Sequence, residues 1–387
     1  MGVMRAEPGR FADATARSVG AIWRAYDLQL TTYAALLVGF GLAMAYTNSV
    51  ETGASPLDGG TTFTRGLMWA GIAIFVFTAA TLFDYRWLRA FAWPAYFLNL
   101  GLLVLTLAVG SGVGGASRWV SIGPLVFQFS ELAKILMIAV LAAYLGNRQG
   151  RLDSLWSILG ACLLMGPAWV LVAMQPDLGT SLVFAAILAG MLFLSGASLR
   201  WLTVLAAGAV VAVPLAWTYV LRDYQKERIL SFLNPAADAQ GSGWQVIQSQ
   251  IAVGSGGLFG TGLTNGTQNR GQFLPVQETD FVFAVLAEEL GFVGGIVVFV
   301  LFCALLWRIL VGAWRSKDPF GMLFGAGLAS MLLFQVGVNV GMVIGVMPVT
   351  GIPLPFITHG GASLISISLG LGLLQSINIR QHERVDW

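Results

Sequence analysis

Ten long apolar segments constrain this chain more than any other feature of its sequence. The segments cover residues 29–49, 66–83, 88–109, 130–146, 155–174, 178–195, 200–221, 281–311, 320–345 and 358–378. Most approach or exceed the roughly 20 residues that a helix needs to cross the hydrocarbon of a bilayer. Their apolar character is continuous rather than alternating, which excludes an outer-membrane barrel. Only 10% of the residues are charged, against roughly 25% in soluble domains. The sequence therefore predicts an all-α polytopic integral membrane protein with about ten transmembrane helices.

The chain divides into three regions by composition. Residues 1–28 are polar and Arg-bearing, and are predicted to be cytoplasmic, as an interfacial helix or a loosely ordered tail. Residues 29–379 form a single transmembrane domain, which includes a long outer loop, residues 222–280, between helices 7 and 8. Residues 380–387 are a cytoplasmic tail. This orientation follows from the positive-inside rule, because most of the 21 Lys and Arg residues fall on the side of the two termini.

Several classes of function are disfavoured by charge and composition. The net charge of +2 gives no support for nucleic-acid binding. The two cysteines, Cys162 and Cys303, lie inside apolar segments and suggest neither a disulfide framework nor a metal site. Two histidines are too few for a His-based metal centre. The sequence identifies no metal ligands.

Ionisable residues near the ends of two predicted helices are candidates for function. Glu131 and Lys134 are three residues apart and share a helix face, so they can pair, while Ser130 can cap that helix. Ionisable groups at membrane depth are rare and usually functional. A structural ion pair is the alternative. Asp177, after Pro176, suits the positive end of the sixth helix, where capping and a functional role are equally good interpretations.

The long outer loop ends in two unusual segments. Residues 254–262 are rich in glycine, which allows close backbone approach to a phosphate or sugar, or simply forms turns. Four carboxylates then fall between residues 278 and 289, where the loop meets the eighth helix. A single helix cap, from Thr279 or Asp280, would use only one of them. A buried carboxylate can act as a general base.

The segment from Met347 to Ser363 contains three prolines and several glycines in an apolar setting, which favours a re-entrant outer loop. His359 in this segment could donate to a bound anion. Six outer cations could hold phosphates or be solvated loop charges: Arg65, Arg118, Lys134, Arg222, Lys226 and Arg228. The residues alone thus indicate a polar site that opens outward and suits an anionic, lipid-borne substrate. A transporter would suit these features nearly as well.

In this order, the motifs resemble the SEDS family (shape, elongation, division and sporulation) of bacterial cell-wall polymerases. The resemblance runs from the first to the last membrane segment. Its most specific blocks are Gly266-Thr-Gln268, Phe273-Leu-Pro275, Thr279-Asp280-Phe281, Ala284–Gly291, Gln175–Thr180 and Gly351–Pro355. These blocks are more similar to the rod-elongation members than to the division members.

The resemblance implies a peptidoglycan glycosyltransferase that polymerises lipid II on the outer face of the bacterial plasma (inner) membrane during cell elongation, with release of undecaprenyl pyrophosphate. It implies a class B penicillin-binding protein (a transpeptidase) as partner, beside other elongation-complex proteins and membrane lipid. We expect no organic cofactor and no nucleic acid, and a divalent cation (Mg or Mn) could take part. The alternatives are a flippase for lipid-linked cell-wall precursors and a division-specific polymerase.

The resemblance also implies site residues. Asp280 matches the essential Asp of the family's Thr-Asp-Phe motif and is the predicted catalytic base. The residues predicted to bind substrate or pyrophosphate are Lys134, Arg118, Arg65, Glu131, Asp177, Gln268 and His359. The chain departs from the family pattern at Phe129, where Pro is common, at Glu278, where His is common, and at Thr358-His359, where Ser-Tyr is common. The roles of Glu278 and His359 are therefore open.

Overall fold

The structure, a computed structural model, describes residues 25–51, 55–110, 118–122, 125–148, 152, 154–235, 242–266 and 280–380. The described helices are α1 Leu28–Glu51, α2 Thr62–Leu82, α3 Tyr85–Ala90, α4 Ala92–Val109, α5 Phe129–Gly146, α6 Leu155–Met174, α7 Leu178–Leu194, α8 Leu199–Tyr219, α9 Asp223–Leu233, α10 Ser242–Ser255, α11 Val282–Arg315, α12 Pro319–Val343 and α13 Gly361–Arg380. A short antiparallel hairpin, β1 Val120–Ile122 and β2 Leu125–Phe127, precedes α5.

Each of the ten apolar segments forms a helix, so the predicted ten-helix fold is confirmed. Within the described residues, nine helices are long and apolar enough to span a membrane, and α7 is a shorter apolar helix of 17 residues. The chain is therefore a multi-pass membrane protein. The division at residues 28 and 379 stays a prediction, and most of the segment 1–28 lies outside the described residues.

Three helices form the centre of the bundle, and small residues let them approach closely. Gly370 of α13 faces Ile135 of α5 and Leu328 of α12, each 3.0 Å from the position that a Cβ would occupy. Close contact through small residues is a common way for membrane helices to pack. At the periphery, none of the residues of α8 is buried, so this helix has its apolar surface turned outward.

The outer loop is more regular than its composition indicates. Residues 222–280 were expected to be a loop, but the structure places helices α9 and α10 within them. Both helices were missed because they are short and polar or glycine-bearing. α10 packs against α11 and α12, so the loop is held against the bundle.

Helix α11 is interrupted at Gly291, whose backbone angles of φ 69° and ψ −169° are not helical. In a continuous helix, the N–H groups of residues 292 and 293 would bond to the carbonyls of Glu288 and Glu289. Here Phe292 and Val293 donate instead to the carbonyls of Gly257 and Leu258, at 2.9 and 3.1 Å.

The glycine-rich segment 256–262 also pairs with the two carbonyls that the break leaves without a partner in the helix. The carbonyls of Glu288 and Glu289 accept hydrogen bonds from the N–H groups of Thr261 and Gly262, both at 3.0 Å. The approach is so close that a Cβ on Gly256 would overlap the carbonyl oxygen of Ala287. These glycines therefore contact the protein's own backbone, rather than a phosphate or sugar.

This contact gives a stability prediction. We expect Gly256→Ala to lower the thermal unfolding midpoint of the purified protein by several degrees, because overpacking costs about 1–3 kcal/mol at this site. Gly254→Ala is the matched control, since a Cβ there meets nothing within 4 Å and the position is helical. Tryptophan fluorescence during heating measures both. Equal midpoints for the two variants would contradict the packing described here.

Candidate functional site

Asp280 lies one residue before the N-cap of α11 and is held by its backbone. The side-chain amide of Asn339, on α12, donates to the Asp280 carbonyl at 3.0 Å and to the Ile352 carbonyl at 2.8 Å. The N-cap of α11 is Phe281, which makes no side-chain cap bond, so the proposal that Asp280 caps this helix is wrong. Asp280 is half-buried.

The carboxylate of Asp280 faces a cation from the outer loop. Asp280 Oδ2 and Arg228 Nη1 lie 3.5 and 3.6 Å from the position that a Cβ on Gly351 would occupy. Gly351, at φ 74°, thus leaves a gap that the two charged groups share. The guanidinium of Arg228 also lies 5.9 Å from the ring centre of Tyr224. Sequence analysis counted Arg228 only as one of several outer cations and missed Tyr224.

Asp177 caps α7, and both of its carboxylate oxygens accept hydrogen bonds. Its carboxylate accepts hydrogen bonds from Thr180 N at 3.1 Å, Thr180 Oγ1 at 2.9 Å and Gln128 Nε2 at 3.1 Å. The capping interpretation is therefore confirmed. Pro176 precedes this cap and does not occupy the first helical position. The side chain of Asp177 is buried, so it fixes α7 beside the site.

Arg118 secures the chain just before Asp177. Its guanidinium donates to the carbonyls of Gln175, at 3.2 Å, and Pro176. The Pro176 carbonyl also accepts from Tyr224 Oη at 2.8 Å. Behind this turn, Gly179 lies against the carbonyl of Thr350. Residues 175–180, helix α9 and the segment after α12 therefore meet around Asp280.

Glu131 and Lys134 form the predicted ion pair, with Lys134 Nζ 2.7 Å from Glu131 Oε1. Both side chains are almost completely buried, at 4% and 2% exposure. The N-cap of α5 is Gln128, so the proposal that Ser130 caps this helix is wrong. Because Gln128 bonds to Asp177, the ion pair lies about one turn beneath the Asp177 cap. In this arrangement the ammonium of Lys134 donates to Glu131.

A buried polar side chain that the sequence did not single out lies near this pair. Gly327 packs against Ile138, and Gly146 against Pro319, so antiparallel α12 brings Gln335 to the level of Glu131. Gln335 is completely buried. Its amide atoms and Glu131 Oε2 make no hydrogen bond to the described residues. The sequence signal was Gln335 itself, which is one of two amide side chains, with Asn339, in an apolar helix.

Arg65 and His359 lie together in a different part of the site. Both line a cavity of about 640 Å³ between α1, α2 and the segment after α12, with Trp69 and Trp119 in its wall. A Cβ on Gly361 would overlap the ring of Trp69, so glycine is needed where α13 begins against α2. The predicted outer cation Arg65 therefore opens onto a space large enough for a ligand.

One segment joins this cavity to Asp280. Gly351 lies beside the Asp280 carboxylate, and Phe356 lines the cavity. Five residues of chain span at most about 18 Å, so the two regions are neighbours. The structure thus brings Asp280, Asp177, Arg118, Glu131 and Lys134 together, with Arg65 and His359 in the adjoining cavity. Gln268 and Glu278 lie outside the described residues.

The described part of the chain does not bring three or more His, Cys, Asp or Glu side chains together in a metal-binding arrangement. Asp177 already accepts three hydrogen bonds from protein groups. These residues therefore do not fit a resident metal centre.

The fold and site define a class of protein: a multi-pass helical membrane protein with one half-buried acid, several cations and a large cavity gathered at one end of the bundle. More particularly, the chain belongs to the FtsW/RodA/SpoVE family of cell cycle proteins, whose model matches residues 28–383. The predicted family is therefore confirmed.

Curated relatives agree with this assignment. The chain is 42% identical to the peptidoglycan glycosyltransferase MrdB of Escherichia coli K12, over 73% of this chain and 76% of MrdB. It is 32% identical to the peptidoglycan glycosyltransferase RodA of Treponema pallidum, over 92% of this chain and 98% of RodA. It is 36% identical to the stage V sporulation protein E of Bacillus subtilis, over 92% of this chain and 98% of that protein.

Solved structures show the same fold. A chain from a peptidoglycan synthase complex, described for its coordination of polymerization and crosslinking, matches with a TM-score of 0.78 and 35% identity, covering 93% of this chain and 99% of that one. The rod shape determining protein RodA of Thermus thermophilus matches with a TM-score of 0.69 and 31% identity, covering 94% of this chain and 99% of that one.

The buried ion pair gives a prediction for stability. We expect Lys134→Met to destabilise the protein by about 3–5 kcal/mol, because it leaves the Glu131 carboxylate uncompensated inside the bundle. The double variant Glu131→Gln/Lys134→Met should recover most of that loss. Thermal unfolding in detergent measures both.

Arg89→Met is the control for this comparison. Arg89 pairs with Asp318 at 3.1 Å but is 44% exposed, and exposed pairs contribute about 0–1 kcal/mol. A loss for Lys134→Met no larger than for Arg89→Met would show that the buried pair is not structurally important.

Proposed function

We propose that this chain is a peptidoglycan glycosyltransferase that polymerises lipid II into glycan strands during cell elongation. The names of the curated relatives support the reaction. The single observation that carries the assignment is the position of Asp280. This half-buried acid is fixed by Asn339, faces Arg228, and adjoins a cavity lined by Arg65 and His359.

In the reaction, a sugar 4-hydroxyl attacks the anomeric carbon of a second lipid-linked sugar, and undecaprenyl pyrophosphate leaves. The Asp280 carboxylate accepts the proton of the attacking hydroxyl as the new glycosidic bond forms. The Asn339 bond to the Asp280 backbone holds this base at a constant place relative to the segment 350–352. Arg228 places a positive charge near this carboxylate.

The leaving pyrophosphate needs positive charge. Arg65 and His359 supply donors in the wall of the cavity, and a guanidinium matches phosphate geometry well. A volume of about 640 Å³ is within the range of about 300–1,000 Å³ typical of ligand sites. Trp69 and Trp119 offer apolar surface to the sugar or to the first units of the lipid.

Lys134, Glu131, Arg118 and Asp177 support the site from beneath in this proposal. Arg118 and Asp177 bond to protein groups around residues 175–180, and Lys134 bonds to Glu131. Their predicted contact with the substrate stays a prediction, as does that of Gln268. A divalent cation would enter with the substrate pyrophosphate.

We place the site on the outer face of the bacterial inner membrane, with both termini in the cytoplasm, on the distribution of Lys and Arg. We also propose a class B penicillin-binding protein as partner. This part of the proposal is supported by the similar chain found in a peptidoglycan synthase complex that coordinates polymerization and crosslinking.

A flippase for lipid-linked precursors is the second candidate. It would need a polar path through both leaflets. Just below the Glu131 level, however, the packing is apolar and close: Gly327 contacts Ile138 and Met191, and Gly325 contacts Ala313. This apolar layer separates the charged groups near Asp280 from the Asp27–Arg308 pair at the other end, which favours chemistry at the Asp280 end over transport.

The test uses purified protein with its penicillin-binding partner, labelled lipid II and a divalent cation. We expect wild-type protein to form glycan strands on gels and Asp280→Asn to lose at least about 100-fold in rate, which is the usual contribution of a general base. Full activity in Asp280→Asn would contradict the assignment. Lipid II translocation without polymer would favour the flippase.

Arg228 and Lys226 provide a matched pair in the same assay. We expect Arg228→Gln to slow polymerisation about 10-fold or more, because Asp280 loses its facing cation. Lys226→Gln should have little effect, since Lys226 pairs with the exposed Asp223, at 3.9 Å. Equal rates for the two variants would exclude a specific role for Arg228.

A further inference from the structure

A second charged site lies at the opposite end of α11 from Asp280. Arg308 donates from Nε and Nη2 to Asp27 Oδ2, at 3.0 and 2.6 Å. The other oxygen, Asp27 Oδ1, accepts from Leu30 N at 3.0 Å and caps α1. Both oxygens of the Asp27 carboxylate therefore accept hydrogen bonds, and the carboxylate joins α1 to α11.

A pocket of about 230 Å³ opens beside this ion pair. One wall is the face of α11 that carries Arg308 and Gly312 and ends in Arg315, two turns beyond Arg308. Arg315 is exposed and makes no ion pair with any described residue. With one carboxylate and two guanidinium groups, the pocket carries a net charge of about +1 and attracts an anion.

Asn378, on α13, forms the opposite wall. Its side chain is 4% exposed and lies over Gly312, where its amide atoms are 2.9 and 3.0 Å from the position that a Cβ would occupy. Asn378 Oδ1 makes no hydrogen bond to a described residue. The buried amide of Asn378 therefore places a polar atom that has no described hydrogen-bond partner next to the two arginines.

The surroundings of the pocket indicate a lipid. Trp307 and Trp314, each one residue before a pocket arginine, are 66% and 89% exposed. Exposed tryptophans are typical of the membrane–water interface. Arg308 lies 17 residues, or about 25 Å of helix, beyond the break at Gly291. The pocket is therefore at the opposite end of α11 from Asp280, and we assign it to the opposite leaflet.

We propose that this pocket binds the phosphate of an anionic membrane lipid in that leaflet. The guanidinium of Arg315 and the remaining donors of Arg308 contact the phosphate oxygens, because arginine matches phosphate in a two-donor geometry. Asn378 donates after rotation of its amide. The lipid would hold the ends of α1, α11 and α13 together without taking part in polymerisation.

The test measures lipid binding to the purified full chain by native mass spectrometry and by the shift in unfolding midpoint. The probes are phosphatidylglycerol, phosphatidylcholine and inorganic phosphate at matched concentrations. We expect phosphatidylglycerol to bind and stabilise wild-type protein, and Arg315→Gln to weaken that binding about 10-fold. Lys317→Gln is the control, because it removes the same charge two residues away, outside the pocket.

Each outcome bears on the proposal. Preference for phosphatidylglycerol that depends on Arg315 and not on Lys317 would support it. Equal binding of phosphatidylcholine, or equal losses in the two variants, would overturn it. Stabilisation by inorganic phosphate as strong as by phosphatidylglycerol would show a soluble phosphate site and overturn the assignment to a lipid. Arg315 is exposed, so its replacement leaves the fold intact, which the unfolding midpoint without lipid checks.

Discussion

Every backbone N–H and carbonyl at membrane depth must find a partner inside the protein, and this requirement shapes the end of the molecule where Asp280 lies. Helix α11 breaks at Gly291, which frees two N–H groups and two carbonyls. The segment 256–262 satisfies all four. Only glycine at position 256 permits the approach. The outer loop is thereby fixed to the bundle, and with it the start of α11, where Asp280 lies.

The segment between α12 and α13 extends this order to the rest of the site. It is bonded to Asn339 at Ile352, packs on Gly179 at Thr350, and lines the cavity from Phe356 to Gly361. One irregular stretch of chain therefore sets the distance between Asp280, the turn at Asp177 and the cavity. The buried pair of Glu131 and Lys134 fixes the floor beneath it.

The sequence was sufficient to predict the ten helices, because length and continuous hydropathy decide which segments span a membrane. It also predicted the Glu131–Lys134 pair and the Asp177 cap, since both depend on spacing along one helix. It could not predict the helix break, because the four hydrogen bonds join residues about thirty positions apart. For the same reason Arg228, Tyr224, Gln335 and Asn339 gained their importance only from the fold, which brings α9 and α12 to Asp280. Ser130 and Asp280 were wrongly expected to cap helices, because local spacing does not show where a helix begins.

The central claim is that Asp280 and the cavity lined by Arg65 and His359 are two parts of one site for lipid-linked substrate. A cryo-EM structure of the Asp280→Asn variant with its partner and bound lipid II tests this directly, since the slowed reaction keeps the substrate in place. The account predicts pyrophosphate density beside Arg65 and His359, with a sugar ring extending past Gly351 to position 280. Density for the pyrophosphate elsewhere in the bundle, with the cavity filled only by bulk lipid, would contradict it.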